Sequence, residues 1–153
     1  MKQLRETVIQ FGEGGFLRGF ADWMIQKMND QGLTNHGVVV VQPIVGGLCD
    51  TLSAQDCRYT HLIRGVEGVE ATVVDCITRC VKPYDDYEAY LALAENPDFR
   101  YIISNTTEAG IVYVDEPRPR TECPASFPAK VCAFLYERFK HFNGAADKGM
   151  VII

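Results

Sequence analysis

The sequence predicts an α/β fold: a doubly wound, mainly parallel sheet with helices on both faces and an antiparallel strand insertion. Three observations carry that prediction. The run Thr7-Val8-Ile9-Gln10-Phe11 leads directly into a glycine-rich turn, Gly12-Glu13-Gly14-Gly15, and a helical pattern follows. Val38-Val39-Val40-Val41 is an unbroken β-branched run, the pattern of a parallel strand buried on both faces. Further apolar runs near 100–104 and 149–153 are separated by a helical pattern. Strand, glycine turn, helix and buried strand in succession make a βαβ unit. A glycine-rich turn between its first strand and first helix is where a Rossmann-like domain holds the pyrophosphate of a dinucleotide.

The elements follow in order. After the first strand, residues 13–31 read as one helix, with Phe16, Phe20, Trp23, Met24 and Met28 recurring at helical spacing as a stripe packed on the sheet. Gly32 suits its C-cap. The strand at 38–41 ends at Gln42-Pro43, and residues 48–55 form a short helix. Residues 59–66 and 71–80, both rich in β-branched residues, read as two strands joined by a turn near Glu67-Gly68; their antiparallel pairing is the insertion. Pro83 suits the first turn of a helix reaching Ala94. Residues 100–104 are a buried strand, and proline-rich, charged 115–128 is a surface loop. Residues 126–142 form an amphipathic helix with Val131, Phe134, Leu135 and Phe139 inward. The last residues begin another strand. The chain stops inside that apolar segment, so 1–153 is expected to be an N-terminal domain of a longer polypeptide.

Composition narrows the function. At 153 residues, 47% apolar and 23% charged, the chain suits one soluble domain. A net charge of −5 argues against a nucleic-acid partner. The polar start Met1-Lys2-Gln3-Leu4-Arg5-Glu6 carries no signal-peptide pattern, and no apolar stretch is long enough to span a bilayer, so a cytoplasmic protein without membrane contact is expected. The six cysteines lack C-x-x-C spacing and a nearby histidine, so they read as reduced thiols, with no metal site.

The chemistry-bearing candidates lie beyond strand ends. In the turn, Gly12 makes the tight bend, Gly14 admits a phosphate close to the backbone, and the next helix points free N–H groups at the anion. Leu17 stands where the third glycine of G-x-G-x-x-G belongs, with Gly14-Gly15 and Gly19 flanking it. Arg18 reads either as a phosphate contact or as a solvated, ion-paired arginine. Gln42 ends the second strand, where an acid usually binds the ribose; it is a ribose ligand or a turn residue, and it does not secure NAD over NADP. Its lack of charge also argues against a methyltransferase. Ser104 to Gly110 follows a buried strand, and Asn105, Thr106, Thr107 and Glu108 either line the nicotinamide-ribose region or cap their own loop. The two loops are expected to converge. His36, His61 and His141 are scattered and read as structural.

The turn Phe11-Gly12-Glu13-Gly14-Gly15-Phe16-Leu17-Arg18-Gly19 with Ala21-Asp22-Trp23 resembles the G-x-G-x-F-x-R turn of the mannitol dehydrogenase family of polyol and hexuronate reductases. The segments 38–44, 104–111, 127–130 and 138–144 also fit, the Thr-Thr-Glu-Ala-Gly and His-Phe-Asn-Gly pieces pointing to the uronate branch. The resemblance implies an NAD-dependent reductase interconverting D-tagaturonate and D-altronate. It also implies that the catalytic lysine and its polar helpers sit in a second, helical domain, leaving no catalytic residue here and no such role for Lys130. What carries over is cofactor binding by Val8, Ile9, Gln10, Phe11, Gly12, Glu13, Gly14, Gly15, Phe16, Leu17, Arg18 and Gly19, with Gln42 and Asn105 to Glu108. The competing reading is a non-catalytic nucleotide-binding or redox-sensing module, or a mannitol or fructuronate reductase of the same family. The hexuronate would be a partner only with the second domain, and an isolated first domain would self-associate through the face left bare.

Overall fold

The computed structural model describes residues 3–115 and 121–153. Five parallel strands form its sheet: β1 (Arg5–Phe11), β2 (His36–Val41), β5 (Ile77–Val81), β6 (Tyr101–Ser104) and β7 (Val151–Ile152), in the order β5-β2-β1-β6-β7. The strand order therefore reverses between β1 and β6, the neighbours at the centre. Parallel strands need crossovers, and those here place helices on both faces. Val38 and Val40 join Val8 and Ile77 against α2 (Ala21–Asp30) and α3 (Cys49–Ala54). Val39 and Val41 join Ile9, Phe11 and Ile102 against α4 (Tyr87–Ala92) and α5 (Phe127–His141). The unbroken valine run is needed because alternate residues serve opposite cores.

The insertion is a hairpin of β3 (Tyr59–Gly65) and β4 (Gly68–Val74), closed by Val66 and Glu67. The reading of 71–80 as one strand is corrected: β4 ends at Val74, the chain turns through Asp75 and Cys76, and β5 pairs with β2 in the main sheet. β-Branched residues on both sides of that turn hid it. Of the described cysteines, all six are free thiols; Cys57 and Cys80 approach to 3.9 Å between sulfurs.

The single helix over 13–31 is also corrected. The chain forms α1 (Gly15–Gly19), kinks at Phe20 (φ −120°, ψ −70°) and continues as α2. The stripe assigned to it does not face the sheet. Phe16 and Phe20 are 60% and 51% exposed, Met24 and Met28 are exposed too, and the buried side of α2 is Asp22, Ile25, Gln26 and Asn29. Trp23 is half-buried, packed on His61 of the hairpin at 5.8 Å between ring centres. Polar residues face inward because each finds a partner there: Gln26 Oε1 accepts the Asp75 N–H and Asn29 Nδ2 donates to the His36 carbonyl.

Two smaller corrections concern α4 and α5. The helix after Pro83 begins later, at Tyr87, because Asp86 caps it by accepting the Ala89 N–H. In α5, Ser126 caps the start and Val131 and Phe134 are buried as expected, but Phe139 is exposed. The helix stops at Asn143 and Gly144, both left-handed (φ 50° and 70°), with Gly144 N–H on the Phe139 carbonyl. The surface loop expected over 115–128 lies in part, at 116–120, outside the described residues.

Candidate dinucleotide site

Phe11 ends β1 at the point where the strand order reverses, the crevice in which such sheets bind ligands. Val8, Ile9 and Phe11 are core residues that aim the turn rather than line it. Gly12 takes φ +114°, a conformation open to glycine, and donates its N–H to Val41. A Cβ on Gly12 would touch Leu17 Cδ1 and Asn105 Oδ1 at 3.4 and 3.7 Å, so Leu17 fills the space that a third glycine would leave and the β6 loop meets the β1 turn. The expected convergence of the two loops is thus present. Above Gly14 and Gly15 the space is open: a Cβ on either would meet nothing within 4 Å. Arg18 N–H is bonded back to Gly14 O at 3.2 Å, leaving the N–H groups of Gly15, Phe16 and Leu17 ahead of the first helical bond. Bare backbone with unclaimed amides is what a diphosphate requires.

A buried polar set fixes this shape. Gln10 is fully buried, and its Nε2 donates to Gly12 O at 3.1 Å and to Asp22 Oδ2 at 3.3 Å. Tyr59 of the hairpin donates its hydroxyl to Arg18 O at 2.7 Å, with Asp22 Oδ2 at 3.4 Å. Asp22 is 0% exposed, and burial pushes its carboxyl up to about 7 against the pull of Gln10, Tyr59 and the Arg18 charge. Burial likewise raises the Tyr59 hydroxyl far above its ordinary value, so it stays a donor. Asp22 and Tyr59 carried no role in the sequence reading. The signal was an aspartate on the apolar arc of a helix, obscured because the aromatics set the orientation of that arc.

The other sequence-predicted residues are distributed as follows. Arg18 donates Nε to Glu13 O at 2.9 Å and lies 5.5 Å from the centre of the Tyr59 ring. Phe16 stacks on Phe20, exposed beside the turn. A Cβ on Gly19 would lie 3.5 Å from His61 Nε2, an ordinary contact. Gln42 is buried; its Nε2 donates to Ile44 O and Val45 O, and its Oε1 accepts Cys49 N–H. Glu13 is buried beside it, accepting Leu48 N–H. Beyond β6, the Ser104 and Thr106 hydroxyls pair at 2.6 Å and Ser104 Oγ accepts Thr106 N–H, while Asn105, Thr107 and Glu108 are exposed. Lys130 is fully buried, donating to Ala125 O and Tyr84 Oη, so its ammonium is committed to the start of α5. Among the described residues no cluster of His, Cys, Asp or Glu could hold a metal, and no helix is long and apolar enough to cross a membrane.

Strand order, glycine turn and switch-point crevice together define a Rossmann domain of the dehydrogenase type. The chain belongs to the mannitol dehydrogenase family: residues 6–153 match the model of the mannitol dehydrogenase Rossmann domain. It is 48% identical to an altronate oxidoreductase of Enterobacter sp. (strain 638) over 97% of its own length, and 47% identical to one of Klebsiella pneumoniae (strain 342) over 99%. In each case it spans 32% of the relative, about a third of its length. The fold is shared with Pseudomonas fluorescens mannitol 2-dehydrogenase, solved as a ternary complex with NAD and D-mannitol (TM-score 0.78, 19% identity, 90% of this chain and 32% of that one). It is shared too with a substrate-free D-sorbitol dehydrogenase (TM-score 0.73, 18% identity, the same coverages).

Proposed function

We propose that this chain is the NAD-binding domain of a cytoplasmic oxidoreductase that reduces D-tagaturonate to D-altronate. The observation that carries the reading is the open, side-chain-free backbone at Gly14 and Gly15, set at the switch point just after Gly12, where the turn meets the β6 loop. The family match and the altronate oxidoreductases at 46–48% identity support the substrate class. The bound nicotinamide supplies the hydride chemistry. The residues of this chain bind and orient. The amides of Gly15, Phe16 and Leu17 hold the diphosphate, with Arg18 beside them. Gln10, Asp22 and Tyr59 keep that turn in shape before the ligand arrives, which reduces the ordering cost of binding. Asn105 to Glu108 line the nicotinamide-ribose half. The acid that protonates the substrate oxygen comes from the further, helical domain expected beyond this one, and the hexuronate is bound only with it.

Gly14→Val tests this. Gly14 has φ −68° and ψ 165°, values any residue adopts, and empty space around it. The variant is therefore expected to fold with a melting temperature close to the parent, while its isopropyl group fills the space reserved for phosphate. Titrating NADH against both proteins by fluorescence should show at least about a tenfold loss of affinity, equivalent to ~1.4 kcal/mol. Unchanged binding in the variant, or no binding in the parent, would refute the assignment.

A further inference from the structure

The glycine turn contains one side chain that phosphate binding leaves without a task. Glu13 sits between Gly12 and Gly14 and is only 6% exposed. Its Oε1 accepts Leu48 N–H at 3.0 Å, which lays the carboxylate across the gap from the end of β1 to the loop following β2. That loop comes so near that Gly47 has no room for a side chain: a Cβ there would stand 2.0 Å from Glu13 Oε1 and 2.6 Å from Gln42 Cδ. Glu13 and Gln42 therefore border the same point. Oε2 of Glu13 is buried and accepts no hydrogen bond among the described residues. A buried carboxylate oxygen without a donor is costly and is seldom kept without use.

Gln42 stands where doubly wound dehydrogenases usually place the acid that reads the adenosine ribose. Its amide is consumed by its own loop, with two carbonyls accepting from Nε2 and Cys49 N–H donating to Oε1. The carboxylate that the fold brings to this position comes from the other strand. We infer that Glu13 takes over the ribose-reading role. Its free Oε2 accepts a ribose hydroxyl of the dinucleotide, its charge opposes a 2′-phosphate, and it thereby sets preference for NAD over NADP. The exposed loop 44–47 covers Glu13 and yields to admit the ribose, while the Leu48 N–H, at the start of α3, keeps Oε1 oriented. This inference rests on the dinucleotide reading and narrows it to one residue.

The test measures dissociation constants of NADH and NADPH for the parent chain and for Glu13→Gln, which keeps the shape and removes the charge. The parent is expected to prefer NADH by at least about tenfold, and the variant to narrow that gap to about threefold or less. If Glu13 only pins Leu48, both cofactors weaken by the same factor and the ratio stands, which overturns the inference. A parent that binds the two equally overturns it as well. A parent that binds neither overturns the dinucleotide reading beneath it. A second measurement needs no variant: raising ionic strength screens carboxylate–phosphate repulsion, so the parent's NADPH-to-NADH ratio of dissociation constants should fall with salt. A ratio indifferent to salt counts against the role.

Discussion

The two faces of the sheet handle buried charge in opposite ways, although the Tyr87 hydroxyl on the α5 side also lacks a hydrogen-bond partner among the described residues. On the α5 face the buried charges are cations whose donors are matched to carbonyls. Arg138 donates Nε to Lys148 O and its terminal nitrogens to Ala94 O, Asn96 O and Phe99 O, at 2.7–3.1 Å. Lys130 is similarly anchored at the start of the same helix. On the α2 face, and at the strand ends it adjoins, buried acceptors are left over: Gln10 Oε1, Asp22 Oδ1 and Glu13 Oε2 have no hydrogen-bond partner among the described residues. The first arrangement fixes the register of helix, 3₁₀ turn and β6. The second tolerates incomplete satisfaction around the turn that we assign to a ligand. Departures from polar satisfaction concentrate where function competes with stability.

The largest expected effect breaks the satisfied face. Arg138→Met keeps much of the apolar stem but strips the donors from four carbonyls in the protein interior. Leaving a buried carbonyl without its donor costs about 1–3 kcal/mol, so denaturant unfolding should show a loss of at least about 3 kcal/mol summed over these acceptors. A loss below ~1 kcal/mol would mean that water replaces the guanidinium and that the contrast between the faces is overstated.

The opposite face should respond to pH. Burial holds the Asp22 carboxyl near 7, well above the ~3.9 of an unfolded aspartate. The folded chain therefore keeps a proton that the unfolded chain has released between about pH 4 and 7. The associated stability is fully present below pH 4 and is lost as pH rises through 7. Paired carboxylates such as Glu6 with Arg79 act in the reverse sense, losing their contribution in acid. The difference between Asp22→Asn and the parent isolates the aspartate. The variant should match the parent near pH 4 and exceed it at pH 8 by about 4 kcal/mol, on the order of 8–16 °C in melting temperature. A pH-independent difference would remove Asp22 as the titrating group.

The same contrast explains what the sequence made legible. The strands β1, β2 and β6 were readable because a strand with two buried faces writes itself as an apolar run, and Val38 to Val41 serve both cores. Helix α5 was readable from Val131, Phe134 and Leu135 recurring at helical spacing. The glycine turn was readable because Gly12 needs a conformation that other residues resist. The network behind the turn was not. Its members, Gln10, Asp22 and Tyr59, are 37 and 49 residues apart at the extremes, counted from Asp22 and Gln10 to Tyr59, and meet only after the hairpin folds back. Ala71 to Cys80 gave no hint of a break because Asp75 and Cys76 interrupt pairing without a glycine or proline. His-Phe-Asn-Gly was legible as a motif, yet Asn143 and Gly144 use it as a helix stop, which makes it a structural signature here.

The smallest expected effect concerns the stripe that periodicity assigned to the core. Phe16 and Phe20 stack at 5.4 Å between ring centres with most of their surface in solvent, so they contribute little to the sheet's packing. Phe16→Gln with Phe20→Gln should change unfolding free energy by no more than about 0.5 kcal/mol, as surface substitutions do. Association is where these rings should register. Two exposed phenylalanines beside exposed Met24 form an apolar patch on the α1–α2 side. If self-association of this chain runs through that patch, the double variant will sediment as a smaller species at concentrations where the parent associates, with stability unchanged. A parent that is monomeric throughout would refute the association. A large loss of stability in the variant would instead return the stripe to the core, and with it the helix orientation on which the Asp22 argument depends.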